Sequence, residues 1–228
     1  TDKSFAEYVK DLATDWASIK QTSAPDAVIT ALQDRMQLWT TALQSESNKY
    51  IDDLGVLTRD AVHQYFLPLW LWHRLDASRW KASALPLRES KRGSLSLDVD
   101  HVVAVKLWEK LQGVSADVDA GDDDAALVVD DLSTTMNALG NCCLLEKSFN
   151  IAKGAEPLRA FLQRVHEFKS GSLTVEAWTK DLDIDDALVD PPAGKTIDDV
   201  RGAVQARAVR MKTELKEYIA GTRQRADV

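Results

Sequence analysis

The chain has 228 residues, a net charge of −8 and 45% hydrophobic residues, an ordinary globular composition that excludes collagen-like, low-complexity or wholly disordered chains. The most apolar run, residues 65–72, is far shorter than the roughly 18 residues that a membrane span needs. The sequence therefore predicts no transmembrane helix. Two adjacent cysteines, Cys142 and Cys143, cannot build a disulfide framework, so we expect a reducing, cytoplasmic environment.

The charge is unevenly distributed along the chain. Residues 115–131 contain seven aspartates and no Lys or Arg, and residues 181–199 contain seven more against Lys195 alone. These stretches carry −7 and −6, which leaves +5 for the remainder. An acidic chain argues against a nucleic-acid partner, but the positive remainder, with its basic segments 74–92 and 201–225, keeps such a partner open. For any single charge run, a solvated face is the simpler interpretation.

Helical spacing dominates the first part of the chain. A capping-box pattern at residues 4–7 predicts a helix over about residues 5–19. A second helix is predicted to start near Pro25. A third is predicted over about residues 58–75 with a kink at Pro68, and its many aromatic side chains are expected to form the buried centre of the domain.

The remaining elements alternate between strand and helix patterns. Residues 94–101 alternate polar and apolar side chains, which predicts a strand that ends in Asp100 and His101. The acidic stretch that follows is predicted to be a loop. The other predicted elements are a helix over 103–111, a helix over 132–139 that stops at Gly140, a strand over 141–145, a helix over 148–165 and an amphipathic helix over about 196–220.

Two short segments carry the candidates for chemistry. The first, residues 98–101, reads Asp-Val-Asp-His, and the second, residues 140–153, reads Gly-Asn-Cys-Cys-Leu-Leu-Glu-Lys-Ser-Phe-Asn-Ile-Ala-Lys. Hydrolysis of a phosphodiester needs an activated water, a cation on the phosphate oxygens and fixed geometry. A neutral imidazole is a common base near pH 7, and Asp and Asn supply the oxygen ligands that Mg²⁺ prefers. Because neighbouring residues on a strand face opposite ways, Asp100 and His101 diverge unless the strand ends or bends there.

This order of a strand ending in Asp-His, a strand beginning with Gly-Asn and a helix with Asn-x-x-Lys resembles the ββα-metal (His-Me) finger of HNH nucleases. It is most similar to the C-terminal nuclease domain of GmrSD-type modification-dependent restriction enzymes. The resemblance implies a mainly α (α+β) fold, a helical domain with an embedded ββα-metal HNH finger. The implied domains are a helical platform at 1–92, the finger at 93–170 with an acidic insertion at 113–131, and a helical segment at 171–228 that packs on the platform.

The resemblance also implies roles at the centre of the site. His101 matches the general base, and Asp100 and Asn150 match the ligands of a Mg²⁺ or Mn²⁺ ion. A plain helix N-cap is the alternative interpretation of Asn150. The other histidines are interpreted as surface or internally satisfied residues; they are His63, His73 and His166.

Further residues have roles around this centre. Asn141 matches an asparagine whose amide pins the loop between the strands and holds the backbone that bears the histidine. Lys153 matches a helix-borne cation near the scissile phosphate, and Asp98 a supporting acid. Six cations are candidates for contact with nucleic acid: Arg88, Lys91, Arg92, Lys147, Arg207 and Arg210.

The implied function is a metal-dependent DNA endonuclease that nicks or cleaves DNA within a restriction or phage-defence protein. Such proteins often join this domain to an N-terminal nucleotide-hydrolysing sensor, and a chain that starts at Thr1 rather than Met is expected for a piece of one. Two other classes remain open: a protein-interaction module whose finger has lost activity, and a DNA-binding module that does not cut. An RNA substrate and the oligomeric state also remain open, because the motif distinguishes neither.

Overall fold

A computed structural model describes residues 14, 25–55, 57, 59–85, 96–111, 135–189 and 196–222. Within these residues the fold is mainly helical with one two-stranded antiparallel sheet, which confirms the mainly α prediction. No helix in this part of the chain is long and apolar enough to span a membrane. Apart from Thr14, the predicted first helix lies outside the described residues, as does the acidic insertion 113–131.

The chain divides into two compact units, Thr1–Tyr50 and Ile51–Val228, so the boundaries predicted at residues 92 and 170 both fall within the second unit. Helix α1, Pro25–Asp52, provides nearly all of what is described in the first unit. It begins at a proline, whose missing N–H is not needed at the first helical position. Along it, Leu38 and Leu43 are exposed.

The second unit contains two short 3₁₀ helices, nine α-helices and both strands in its described part. In chain order they are a 3₁₀ helix Arg59–Tyr65, α2 Phe66–Arg74, α3 Ala77–Ser83, β1 Leu97–His101, α4 Val105–Leu111, a 3₁₀ helix Leu139–Asn141, β2 Cys142–Glu146, α5 Lys147–Lys153, α6 Leu158–Leu162, α7 His166–Lys169, α8 Val175–Asp181, α9 Asp186–Val189 and α10 Ile197–Ile219.

The segment predicted as the third helix is a 3₁₀ helix followed by an α-helix. The chain changes from 3₁₀ to α-helix at Phe66, so Pro68 lies in the first turn of α2. The predicted irregularity therefore takes the form of a change of helix type two residues before Pro68 rather than a kink within a single α-helix. The expectation of a buried centre is right for one face of the segment only. Buried side chains are Tyr65, Leu69 and Trp72, whereas Phe66, Leu67 and Trp70 are exposed.

The predicted helix over 148–165 is two helices. α5 ends at Gly154, whose φ of +54° is a conformation that side-chain-bearing residues seldom adopt, and Pro157 precedes α6. In contrast, α10 closely matches its prediction over 196–220. Its start is fixed by a capping box between Thr196 and Asp199.

The strand pair is the centre of the second unit. β1 and β2 pair antiparallel with Asp100 opposite Cys143 and His101 opposite Cys142. One face, with Val99 and Leu144, packs in the apolar cluster that contains Leu69, Trp72, Met211 and Leu215 of α2 and α10. The other face, with Cys143 and Leu145, packs in a cluster that contains Phe149, Phe161 and Trp178 of α5, α6 and α8. The sheet is therefore buried on both sides, and α5 continues directly from β2.

Gly140 joins this sheet to α10 by a close backbone contact. A Cβ atom at Gly140 would lie 1.9 Å from the carbonyl oxygen of Val204, so no other residue fits without moving α10. Within the described residues, Thr135 and Met136 are helical before the 3₁₀ helix that contains Gly140. The requirement for glycine is thus the approach of two backbones rather than the helix stop that the sequence predicts.

Candidate active site

A buried ion pair lies where β1 meets α5. The Nζ atom of Lys153 is 2.7 Å from Oδ2 of Asp100 and also donates a hydrogen bond of 2.8 Å to the backbone carbonyl of His101. The side chains of Lys153 and Asp100 are 1% and 12% exposed. The ammonium is therefore committed to internal partners, which corrects the expectation that Lys153 reaches a phosphate. Its geometry instead suits holding the Asp100 carboxylate and the end of β1.

The start of α5 explains how Lys153 is aimed at the strand. Glu146, the last residue of β2, caps the helix by accepting a hydrogen bond of 2.7 Å from the backbone N–H of Ser148. A single residue thus ends the strand and begins the helix. Asn150 lies in the interior of the helix, so the N-cap interpretation of Asn150 is wrong.

Asn150 and Asp98 lie on the same elements as the ion pair. Asn150 precedes Lys153 by three residues, and residues three apart share a face of an α-helix. Asp98 precedes Asp100 by two residues, so both face the same side of β1, the side with Cys143 and Leu145. The side chains of Asp98, Asp100 and Asn150 are each partly exposed.

His101 is the last residue of β1 and faces the other side of the strand from Asp100. Its Nε2 atom lies 3.1 Å from Oδ1 of Asn137. An amide oxygen only accepts hydrogen bonds, so this contact is a hydrogen bond when Nε2 carries the ring proton, and a neutral ring then has its lone pair on Nδ1. The ring is half-buried, and Asn137 holds it through Nε2.

Asn141 ties the segments on both sides of the strand pair together. Its Oδ1 accepts a hydrogen bond of 2.9 Å from the backbone N–H of Val103, and its Nδ2 donates to the carbonyls of Val103 at 3.1 Å and Met136 at 2.8 Å. The side chain is fully buried. These contacts hold the backbone that follows His101, which is the structural role that the resemblance implies for this residue.

The donor atoms match a hard divalent ion in chemistry. Asp100 and Asn150 offer oxygen atoms, and Mg²⁺ commonly binds one or two protein carboxylates while it keeps several waters. In the part of the chain that is described, no three His, Cys, Asp or Glu side chains form a metal-binding group. Since Lys153 already contacts Oδ2 of Asp100, an ion bound here would share that carboxylate with the ammonium.

Arg207, one of the predicted nucleic-acid contacts, is fully buried, so that prediction is wrong. Its guanidinium donates hydrogen bonds to the carbonyls of Gly140 and Cys142, both at 2.8 Å, and of Leu182 at 3.1 Å. It also lies 5.4 Å from the centre of the Trp72 ring. The basic segment 201–225 therefore includes a core residue.

Two of the other five predicted nucleic-acid contacts lie in the described residues, and both are exposed. Arg210 is exposed and forms an ion pair of 2.9 Å with Asp183. Lys147 is exposed at the first position of α5, beside the capping Glu146. The three remaining candidates, Arg88, Lys91 and Arg92, lie outside the described residues.

A second histidine, His73, lies at the opposite edge of the sheet and is fully buried. Its Nε2 accepts a hydrogen bond of 3.2 Å from the backbone N–H of Leu144, and its Nδ1 bonds to the hydroxyl of Ser83. Burial, together with the nearby Arg207 and Arg79 guanidiniums, lowers the pKa of His73 well below its ordinary value. His73 is thus an internally satisfied, neutral histidine, as the sequence predicts.

Asn137 is the site residue that the sequence analysis missed. It lies in a segment predicted to be helical, 36 residues after His101, and the two meet only because the chain returns to β2 beside β1. The sequence signal for it is a lone polar residue among Met136, Ala138 and Leu139. Such a residue can equally be a turn or a solvated position, so the pattern by itself does not pair it with a histidine.

Comparison with known proteins adds no family to this geometry: no family model, curated protein or solved structure matches the chain.

Proposed function

We propose that this chain is a metal-dependent phosphodiester hydrolase that nicks or cleaves DNA. One observation carries the proposal: Lys153 of α5 binds both the Asp100 carboxylate and the backbone carbonyl of His101, which ties the helix to the end of the strand that bears the Asp-His pair. A histidine with a fixed partner on one nitrogen, an adjacent carboxylate and an amide oxygen on the packed helix are the groups that such a hydrolysis uses.

Each group has a distinct task in this proposal. Nδ1 of His101 accepts the proton of the attacking water, since Nε2 is engaged by Asn137. Asp100 and Asn150 would hold a Mg²⁺ or Mn²⁺ ion, which supplies Lewis-acid stabilisation of the phosphate oxygens when bound. Lys153 and Asn141 are positioning residues, because their contacts are with the protein itself. In a longer protein, an N-terminal nucleotide-hydrolysing domain would control such a nuclease in restriction or phage defence.

A non-cleaving DNA-binding or protein-interaction module is the second candidate. The buried Lys153–Asp100 ion pair favours it, because the carboxylate that would bind the metal already has a cation beside it. The two candidates differ in whether the site binds a divalent ion and whether His101 supports turnover.

A plasmid-nicking assay tests the activity. We expect the wild-type chain to convert supercoiled plasmid to the nicked form with Mg²⁺ or Mn²⁺, and His101→Ala to lose about 100-fold or more in rate, the usual contribution of a general base. His166→Ala is the matched control, since His166 is an exposed histidine on α7, and we expect it to nick at the wild-type rate. The assay includes plasmid with and without base or backbone modifications. Equal rates for wild type and His101→Ala, or no nicking of any plasmid, would overturn the proposal.

Thermal unfolding tests the ion site separately from turnover. An ion that binds only the folded state stabilises it by about 1.4 kcal/mol when its concentration is tenfold above Kd. We therefore expect Mg²⁺ to raise the Tm of the wild type and of Asp185→Asn, an exposed carboxylate elsewhere, but not of Asp100→Asn. Each Tm shift is measured against the same variant without metal, so the stability that Asp100→Asn loses with its Lys153 ion pair does not affect the comparison. An equal rise in all three proteins would place the ion elsewhere.

A further inference from the structure

We infer that Asn137 is a positioning residue for His101, which selects the ring tautomer that leaves Nδ1 as the basic nitrogen. The inference rests on the proposed function for its catalytic meaning, but the tautomer itself can be measured without turnover. It adds to the site a residue 36 positions away from the histidine in sequence.

The contact is between a buried amide and a half-buried ring. Asn137 is 3% exposed, and its Oδ1 lies 3.1 Å from Nε2 of His101. Because the oxygen has no proton to give, the contact is a hydrogen bond only when Nε2 is protonated. The opposite tautomer would set a ring lone pair against the amide oxygen.

The backbone on which Asn137 sits is held on both sides. The hydroxyl of Tyr65, which is fully buried, lies between the carbonyl oxygens of Gly55 and Asn137, 3.1 Å from the latter, and its single proton is shared by these two acceptors. The amide of Asn141 donates a hydrogen bond of 2.8 Å to the carbonyl of the preceding residue, Met136. The backbone of Asn137 therefore has little freedom to follow the ring.

Asn141 and Tyr65 therefore hold the backbone near the His101–Asn137 contact in addition to packing in the core. Asn141 fixes the backbone after His101 through Val103 and fixes the backbone before Asn137 through Met136. One buried side chain thus links the two backbone segments that carry the ring and its acceptor. A partner on one imidazole nitrogen that fixes the tautomer of the other is a general requirement for a histidine base.

The decisive measurement is the protonation state of each ring nitrogen in chain labelled with ¹⁵N-histidine, at a pH where the rings are neutral. His101→Gln assigns the signals. We expect Nε2 of His101 to carry the proton in the wild type and in Asn137→Asp, which keeps an acceptor oxygen, and a mixture of tautomers in Asn137→Leu, which has similar size and no acceptor. Thr135→Val, which removes a buried hydroxyl two residues away, is the control and should keep the wild-type tautomer.

Nicking rates of the same proteins give the second readout. We expect Asn137→Leu to lose about tenfold or more in kcat with little change in the KM for plasmid, and Asn137→Asp to recover most of that loss. A proton on Nδ1 of His101 in the wild type overturns the inference without any variant. A wild-type tautomer in folded Asn137→Leu also overturns it. If the tautomers are as expected and no protein nicks DNA, the proposed function fails while the assignment of Asn137 to His101 stands.

Discussion

A histidine and a basic residue lie at the outer edge of β2 and again at the end of β1, but their partners differ. At the outer edge of β2, His73 and Arg207 bind backbone groups of Leu144, Gly140 and Cys142. At the end of β1, by contrast, His101 binds the side chain of Asn137, and Lys153 binds the carboxylate of Asp100. Each edge thus has one histidine and one cation.

Burial and partners separate these two pairs. His73 and Arg207 are fully buried and replace the hydrogen bonds of a missing third strand, so they complete the sheet. His101 is half-buried and its partner is a side chain rather than the backbone of the sheet. The comparison teaches that a histidine or a basic residue indicates chemistry only once its partners and its burial are known.

The largest expected effect is at the structural edge. Arg207→Met leaves three backbone carbonyls, those of Gly140, Cys142 and Leu182, without their donor, and unsatisfied buried polar groups cost about 1–3 kcal/mol each. We expect a loss of roughly 3 kcal/mol or more in the free energy of unfolding, measured by urea denaturation with tryptophan fluorescence.

Arg210→Met is the matched control on the same helix. Arg210 is exposed and pairs with Asp183, and exposed ion pairs contribute about 0–1 kcal/mol. A loss of similar size in both variants would contradict the distinction between a core arginine and a surface arginine, and would reopen Arg207 as a surface contact.

A smaller effect is expected from the pH dependence of stability. The folded-state pKa of His73 is lowered by burial and by Arg207 and Arg79, so only the unfolded chain binds a proton at this residue as the pH falls. Stability is therefore present above the unfolded pKa of about 6.5 and is lost below it, by about 1.4 kcal/mol between pH ~7.5 and ~5.5.

Urea denaturation at several pH values measures this loss. His73→Gln lowers stability overall but should remove this part of the pH dependence, whereas His166→Gln, at an exposed position, should keep it. An unchanged slope in His73→Gln would mean that His73 binds its proton equally well in the folded and unfolded chain, and the contrast with His101 would then be lost.

Local patterns predicted the strands and the last helix closely. Alternation of polar and apolar residues predicted β1 with its end at His101, and β2 begins one residue after its predicted start, at Cys142. The capping residue and apolar spacing predicted α10. These elements were accessible because their signals lie within a few residues of each other. The short helices α3, α7, α8 and α9 were not predicted, since so few turns give little periodicity to detect.

Charge patterns were less reliable than spacing. The segment 201–225 was interpreted as a basic surface, yet Arg207 is a core residue because α10 turns it towards Gly140 and the sheet. A guanidinium in a sequence has the same charge whether backbone carbonyls or solvent surround it. The sequence contains the charge but not the direction in which the helix faces.

By itself, the sequence determined a mainly helical chain, a strand that ends at His101, a second strand that begins within one residue of Cys142, and the order of the Asp-His and Asn-x-x-Lys groups along β1 and α5. Only the tertiary structure decided that Lys153 binds Asp100, that Asn137 binds His101, and that His73 and Arg207 complete the sheet. The physical reason is the separation along the chain of the residues that make each contact. Periodicity and capping depend on neighbours within a few residues, whereas these contacts join residues 36 to 71 positions apart, which meet only when the core closes.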